Sequence, residues 1–162
     1  MLAPRNKLWP SNPGIVELAL DLLGVTAGSR LADWGCGDGP ALFAAVSRGA
    51  TAIGWEIHEE RSEGLREEVV RRGLQQQVVV ITGNALEAEL PIENPITHVY
   101  LFLIARGLRL MLPTLRRAAA LLPGKVIPVV TVLYSFEGLT PVETRKDPVT
   151  SMLYHLWLIS SE

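Results

Sequence analysis

Residues 31–40 read LADWGCGDGP. Gly35, Gly37 and Gly39 alternate with Cys36 and Asp38, and Asp33 stands two positions ahead of the first glycine. Glycine adopts positive φ without steric cost and lets backbone N–H groups approach a bound molecule closely. The spacing is G-x-G-x-G. The dinucleotide fingerprint is G-x-G-x-x-G, and its sixth position is Pro40 here, which speaks against a pyrophosphate. Asp33 is suited to accept hydrogen bonds from a ligand amine. Glu56 follows about 20 residues on, the distance at which a carboxylate accepts from the two hydroxyls of a ribose. Ile57 beside it can lie against a flat base. In TGNALE, Asn84 offers an amide to a base edge, and Ala85 opens a turn with free backbone N–H groups.

Strand ends must carry these residues. SRLADWG, TAIGWEI, QVVVITG, ITHVYLFL and KVIPVVTVLY are short apolar runs, expected as strands covered on both faces. Helical stretches alternate with them. Ser11-Asn12-Pro13 is a helix start with proline in the first turn, and an apolar stretch follows it to about residue 24. GPALFAAVSRG is a second helix. HEERSEGLREEVVRRG is a charged surface helix, with Glu67/Arg71 and Glu68/Arg72 one turn apart. ARGLRLMLPTLRRAAALLPG is a helix expected to be disturbed near Pro113. This alternation predicts an α/β fold with a doubly wound, mainly parallel sheet. TPVETR and MLYHLWLIS supply two last strands. Only KDPVTS joins them, too short for a parallel crossover, so this pair is expected to be antiparallel. In such a sheet a ligand sits beyond the carboxyl ends of the strands, where the strand order reverses.

The chain has 162 residues, 48% apolar and 20% charged, which suits a single domain, 1–162, with one sizeable core. The N-terminal stretch has no apolar signal core and no run is long enough to span a bilayer, so a cytoplasmic protein is expected. One cysteine excludes an internal disulfide and a cysteine zinc cage; no metal is expected. The formal charge is −2, and most arginines sit beside glutamates in helical stretches, as on a solvated helix face. A nucleic-acid groove needs positive charge without interleaved acids.

An amine, a ribose and a base read by three successive strand ends describe S-adenosylmethionine. The ordered set D-x-G-x-G-x-G, then Glu56, then G-N-A resembles the class I, seven-stranded Rossmann-like S-adenosylmethionine-dependent methyltransferases. WPSNP, DWGCGDG, GWEI, TGNALE, YLFLIARGLRLMLPTL and FEGLTP…YHLWLI follow the order found in the small archaeal broad-specificity and mitochondrial protein-lysine methyltransferases related to Dot1. The resemblance covers nearly the whole chain. It implies cofactor contacts from Asp33, Gly35, Cys36, Gly37, Gly39, Glu56, Ile57, Asn84, Ala85 and Phe102. It also implies an N-terminal arm, 1–12, that covers the site with Trp9 and Ser11. His58 stands where that group carries asparagine, and Leu139 where it carries tryptophan.

LFLIAR after the fourth strand lacks the N/D-P-P-Y/F motif of enzymes that methylate amide and exocyclic nitrogens. Lys7, Lys125 and Lys146 do not readily assemble the tetrad of ribose methylators. The expected acceptor is a protein lysine, entering an apolar channel walled by Phe102, Tyr134, Phe136 and Trp9 with no dedicated base. An RNA or small-molecule methyltransferase and a non-catalytic cofactor-binding module are the alternatives. His98 and His155 are expected to be structural.

Overall fold

The computed structural model describes residues 13–162. The arm 1–12, with Trp9 and Ser11, lies outside the described residues. Helix α1 (Pro13–Leu23) precedes strand β1 (Arg30–Trp34), α2 (Pro40–Ser47), β2 (Thr51–Glu56), α3 (Glu59–Arg71) and β3 (Val78–Thr82). A single 3-10 turn, Ala85–Glu87, stands before β4 (His98–Leu101); α4 (Ala105–Ala120), β5 (Val126–Val132), β6 (Glu143–Lys146) and β7 (Leu153–Ser160) complete the order.

The seven strands form one sheet in the order β3-β2-β1-β4-β5-β7-β6. β1 to β5 pair in parallel, and β7 runs antiparallel to both β5 and β6. The chain first winds outward from β1 to β3 and then restarts on the other side of β1 with β4. The reversal therefore falls between β1 and β4, where a ligand crevice opens in a doubly wound sheet.

Alternation along the strands sends successive side chains to opposite faces. Leu31, Ala52, Val78, Tyr100, Val130 and Tyr154 pack with α1, α2 and α3 on one face. Ala32, Trp34, Trp55, Val99, Leu101 and Trp157 pack with α4 on the other. This double cover is why the strands read as continuous apolar runs. β6 is the exception: Glu143, Thr144, Arg145 and Lys146 are all exposed, and charge along an edge discourages pairing with another sheet.

Three expectations change. α4 runs unbroken through Pro113; the apolar face of Leu108, Met111 and Leu115, buried on the sheet, outweighs the backbone hydrogen bond that proline cannot donate. Arg71 pairs with Glu68 rather than Glu67, and Arg72 meets the same carboxylate at 2.7 Å. The crossover from β3 to β4 contains a 3-10 turn and loop where the alternation gave no element.

Candidate active site

The glycine turn leaves the end of β1 and is tied back to β2, with Gly35 N–H and Cys36 N–H donating to Trp55 O at 2.8 and 3.0 Å. Gly35, Gly37 and Gly39 all have positive φ, at 94°, 54° and 79°. Their surroundings differ. A Cβ on Gly39 would lie 2.7 Å from Leu65 Cδ1, so this glycine lets α2 pack close to α3. A Cβ on Gly37 would meet nothing within 4 Å; this is the stretch of turn backbone that faces open space. Cys36 points inward. Its Sγ lies 2.7 Å from where Gly54 would carry a Cβ, so the turn is seated on a gap in β2. Burial and the charges of Asp33 and Glu56 push its thiol well above the usual range, which fits packing rather than reactivity.

Glu56 ends β2 and is buried. Its Oε2 accepts from Gly37 N–H at 3.1 Å and its Oε1 from His58 N–H at 3.2 Å. The carboxylate is thus fixed against the glycine turn before any ligand arrives. Ile57, next in sequence, is 63% exposed, an apolar side chain left uncovered at a strand end. Asp33 is only 4% exposed. Its carboxyl accepts no hydrogen bond among the described residues, and burial, with Glu56 adding like charge, raises its pKa to about 8. A buried acid with no partner fits a cationic amine that supplies the missing donors.

Asn84 caps the 3-10 turn, its Oδ1 accepting from Leu86 N–H at 3.0 Å. That oxygen is engaged by the fold, and the side-chain amide N–H groups have no partner among the described residues. Ala85 begins the turn and packs on the α4-side core. Phe102 is half-buried beyond β4, against the α1-side core. Tyr134 is half-buried on the opposite side. Phe136 is 4% exposed and meets Trp157 edge-on, ring centroids 5.0 Å apart; its place is in the core, and as a channel wall it offers little surface. His98 and His155 are held by the hydroxyls of Thr97 and Thr144, each at 2.8 Å. His58 caps α3 without a side-chain bond.

A feature with no sequence signal lies at the end of β5. Leu133 has φ of 70°, a strained region for a branched side chain without glycine's freedom. Buried Thr131 donates to Tyr134 O at 2.8 Å and accepts from Trp157 Nε1 at 2.9 Å, which holds this kink beside the crevice. Among the described residues no group of acids, histidines and cysteine could hold a metal ion, and no helix is long and apolar enough to cross a membrane.

The same sheet is found in proteins of known chemistry. The structure titled RNA methyltransferase from Salinibacter ruber, in complex with S-adenosyl-L-homocysteine, superposes with a TM-score of 0.81 at 27% identity, over 94% of this chain and 95% of that one. The chain is a class I S-adenosylmethionine-dependent methyltransferase. A protein-lysine N-methyltransferase of Saccharolobus islandicus is 25% identical over 96% of the chain and 93% of its own length. A SAM-dependent methyltransferase from Aquifex aeolicus shares the fold at a TM-score of 0.65 and 14% identity, over 93% of each chain. No protein-family model matches. For this methyltransferase the glycine turn, Glu56 and Asp33 fit the cofactor's chemistry: open backbone, a fixed carboxylate for hydroxyls and an unpartnered acid for an amine.

Proposed function

We propose that the chain methylates lysine side chains of proteins. S-adenosylmethionine supplies, when bound, an electrophilic methyl group on a positively charged sulfur. The protein's part is to hold that group, exclude water and admit a neutral amine. Glu56 fixes the ribose end, Asp33 the amine end and Gly37 the path between them. Ile57 and Asn84 frame the base. The arm 1–12, with Trp9 and Ser11, is proposed to close over the site.

The observation that carries the lysine reading is the end of β4. Phe102, Leu103 and Ile104 lead into α4 with no carboxylate, amide or histidine. Such a wall cannot grip a planar amide and offers no general base. A lysine amine with a reference pKa near 10.4 costs about 4–5 kcal/mol to neutralise at pH 7, and an apolar wall lowers that cost by disfavouring the ammonium. The Saccharolobus relative, named a protein-lysine methyltransferase, supports this reading. The Salinibacter structure, titled an RNA methyltransferase, supports RNA as the second reading.

Purified protein incubated with methyl-labelled cofactor and a cell lysate separates the two. Label that survives nuclease, is lost on protease treatment and appears as methyl-lysine after hydrolysis is the expected result. Label lost on nuclease treatment moves the assignment to RNA.

A further inference from the structure

Asp33 does not stand alone in its row of the sheet. β1 and β4 pair in register, and Asp33 lies opposite Tyr100. Neighbours in register on parallel strands point to the same face, so the carboxyl and the phenol leave the sheet side by side toward α1. On the other side of Asp33 the register partner is Gly54, and Cys36 fills the space above it. The thiol is a weak donor, so that flank offers Asp33 little. Tyr100 is the polar flank.

Tyr100 is 3% exposed and lies in the α1-side core. Its hydroxyl makes no hydrogen bond among the described residues. The phenol also senses the acid beside it, for Asp33 adds to burial in pushing its ionisation far up. A buried tyrosine hydroxyl ordinarily finds a partner. Here two side chains of buried residues, side by side at the strand-order reversal, have no partner among the described residues, and their polar atoms are not sealed from the outside.

We propose that Tyr100 is a cofactor-binding residue: its hydroxyl and the Asp33 carboxyl together receive the amino-acid end of the cofactor. This rests on the methyltransferase reading of the site and adds a residue to it. An ammonium needs acceptors and a carboxylate needs donors. Asp33 supplies only the former when ionised, whereas a phenol supplies both. Tyr100→Phe deletes one oxygen that has no partner among the described residues, so the variant is expected to be as stable as the parent.

The test compares two ligands by calorimetry. S-adenosylhomocysteine carries the amino acid, and methylthioadenosine keeps the nucleoside without it. Tyr100→Phe is expected to weaken S-adenosylhomocysteine about tenfold and leave methylthioadenosine unchanged, with an unaltered melting temperature. Equal loss for both ligands, or no loss for either, overturns the assignment of Tyr100. Should Tyr100→Phe melt early, Tyr100→Met is measured with the same pair of ligands, and the same ratio decides. A parent protein that binds neither ligand overturns the cofactor reading itself, a separate failure.

Discussion

Burial lifts Asp33 to a pKa of about 8 in the folded chain, against 3.8 for an ordinary aspartate, and the Glu56 charge adds to the rise. Cys36 and Tyr100, its other close titratable neighbours, stay protonated throughout the accessible range. The folded state therefore binds the Asp33 proton more tightly than the unfolded state. Its contribution to stability is fully present below about pH 4 and is lost as pH rises toward 8. Asp33→Asn removes that loss. Its melting temperature relative to the parent should climb from pH 5 to pH 8, by an amount on the order of 2–4 kcal/mol in stability, while affinity for S-adenosylmethionine falls. A constant offset between the two proteins at all pH values would show that Asp33 is ionised when buried. Glu56 is held by two backbone donors; Glu56→Ala should cost at least about tenfold in cofactor affinity by calorimetry, about 1.4 kcal/mol. Both acids could be singled out in the sequence because they flank strand ends at set distances from a glycine turn. Tyr100 could not. Within VYLFL it reads as one more apolar strand residue, and only the register beside Asp33 gives its hydroxyl a meaning. Asn84 was legible as a position but not as a helical cap.

The glycine turn depends on a strand it does not belong to. Gly54 in the middle of β2 leaves the gap that Cys36 and Leu42 fill, with Cys36 Sγ and Leu42 Cδ1 each 2.7 Å from the position of a Cβ. Gly54→Ala should destabilise the chain by about 1–3 kcal/mol, read from chemical denaturation. Leu42 can turn aside; Cys36, anchored by the turn backbone, cannot. In a Cys36→Gly background the penalty of Gly54→Ala should shrink, giving a coupling of about 1 kcal/mol or more in the double-mutant cycle. Additive effects would mean that the turn yields freely. The element boundaries were largely legible, since apolar runs, caps and turn residues agree with one another in most of the chain. Where the reading failed, tertiary contacts decided. The burial of α4 keeps Pro113 inside a helix, and the segment from Thr82 to His98 carries too few periodic apolar residues to declare its short turn.

At the scale of the whole molecule, alternation of strands and helices made the doubly wound sheet legible, and the six-residue link KDPVTS made the antiparallel ending so. The position of β7 between β5 and β6 was not legible, because two antiparallel strands can dock on a sheet in either order. One consequence of the strand order concerns motion. β3-β2-β1 forms one flank and β5-β7-β6 the other, and the strand between them, β4, is four residues long. Glu56 and Asp33 stand on the first flank, Tyr100 on β4 itself. A ligand held by all three ties the first flank to β4 and acts as a clasp on the short strand through which the second flank is joined. Partial opening of a protein follows such divisions, and amide exchange reports it segment by segment. Adding S-adenosylhomocysteine should slow exchange in β1 and β4 far more than in the β6–β7 hairpin, which the clasp does not reach. Uniform slowing across the sheet would mean that the two flanks already open and close as one body.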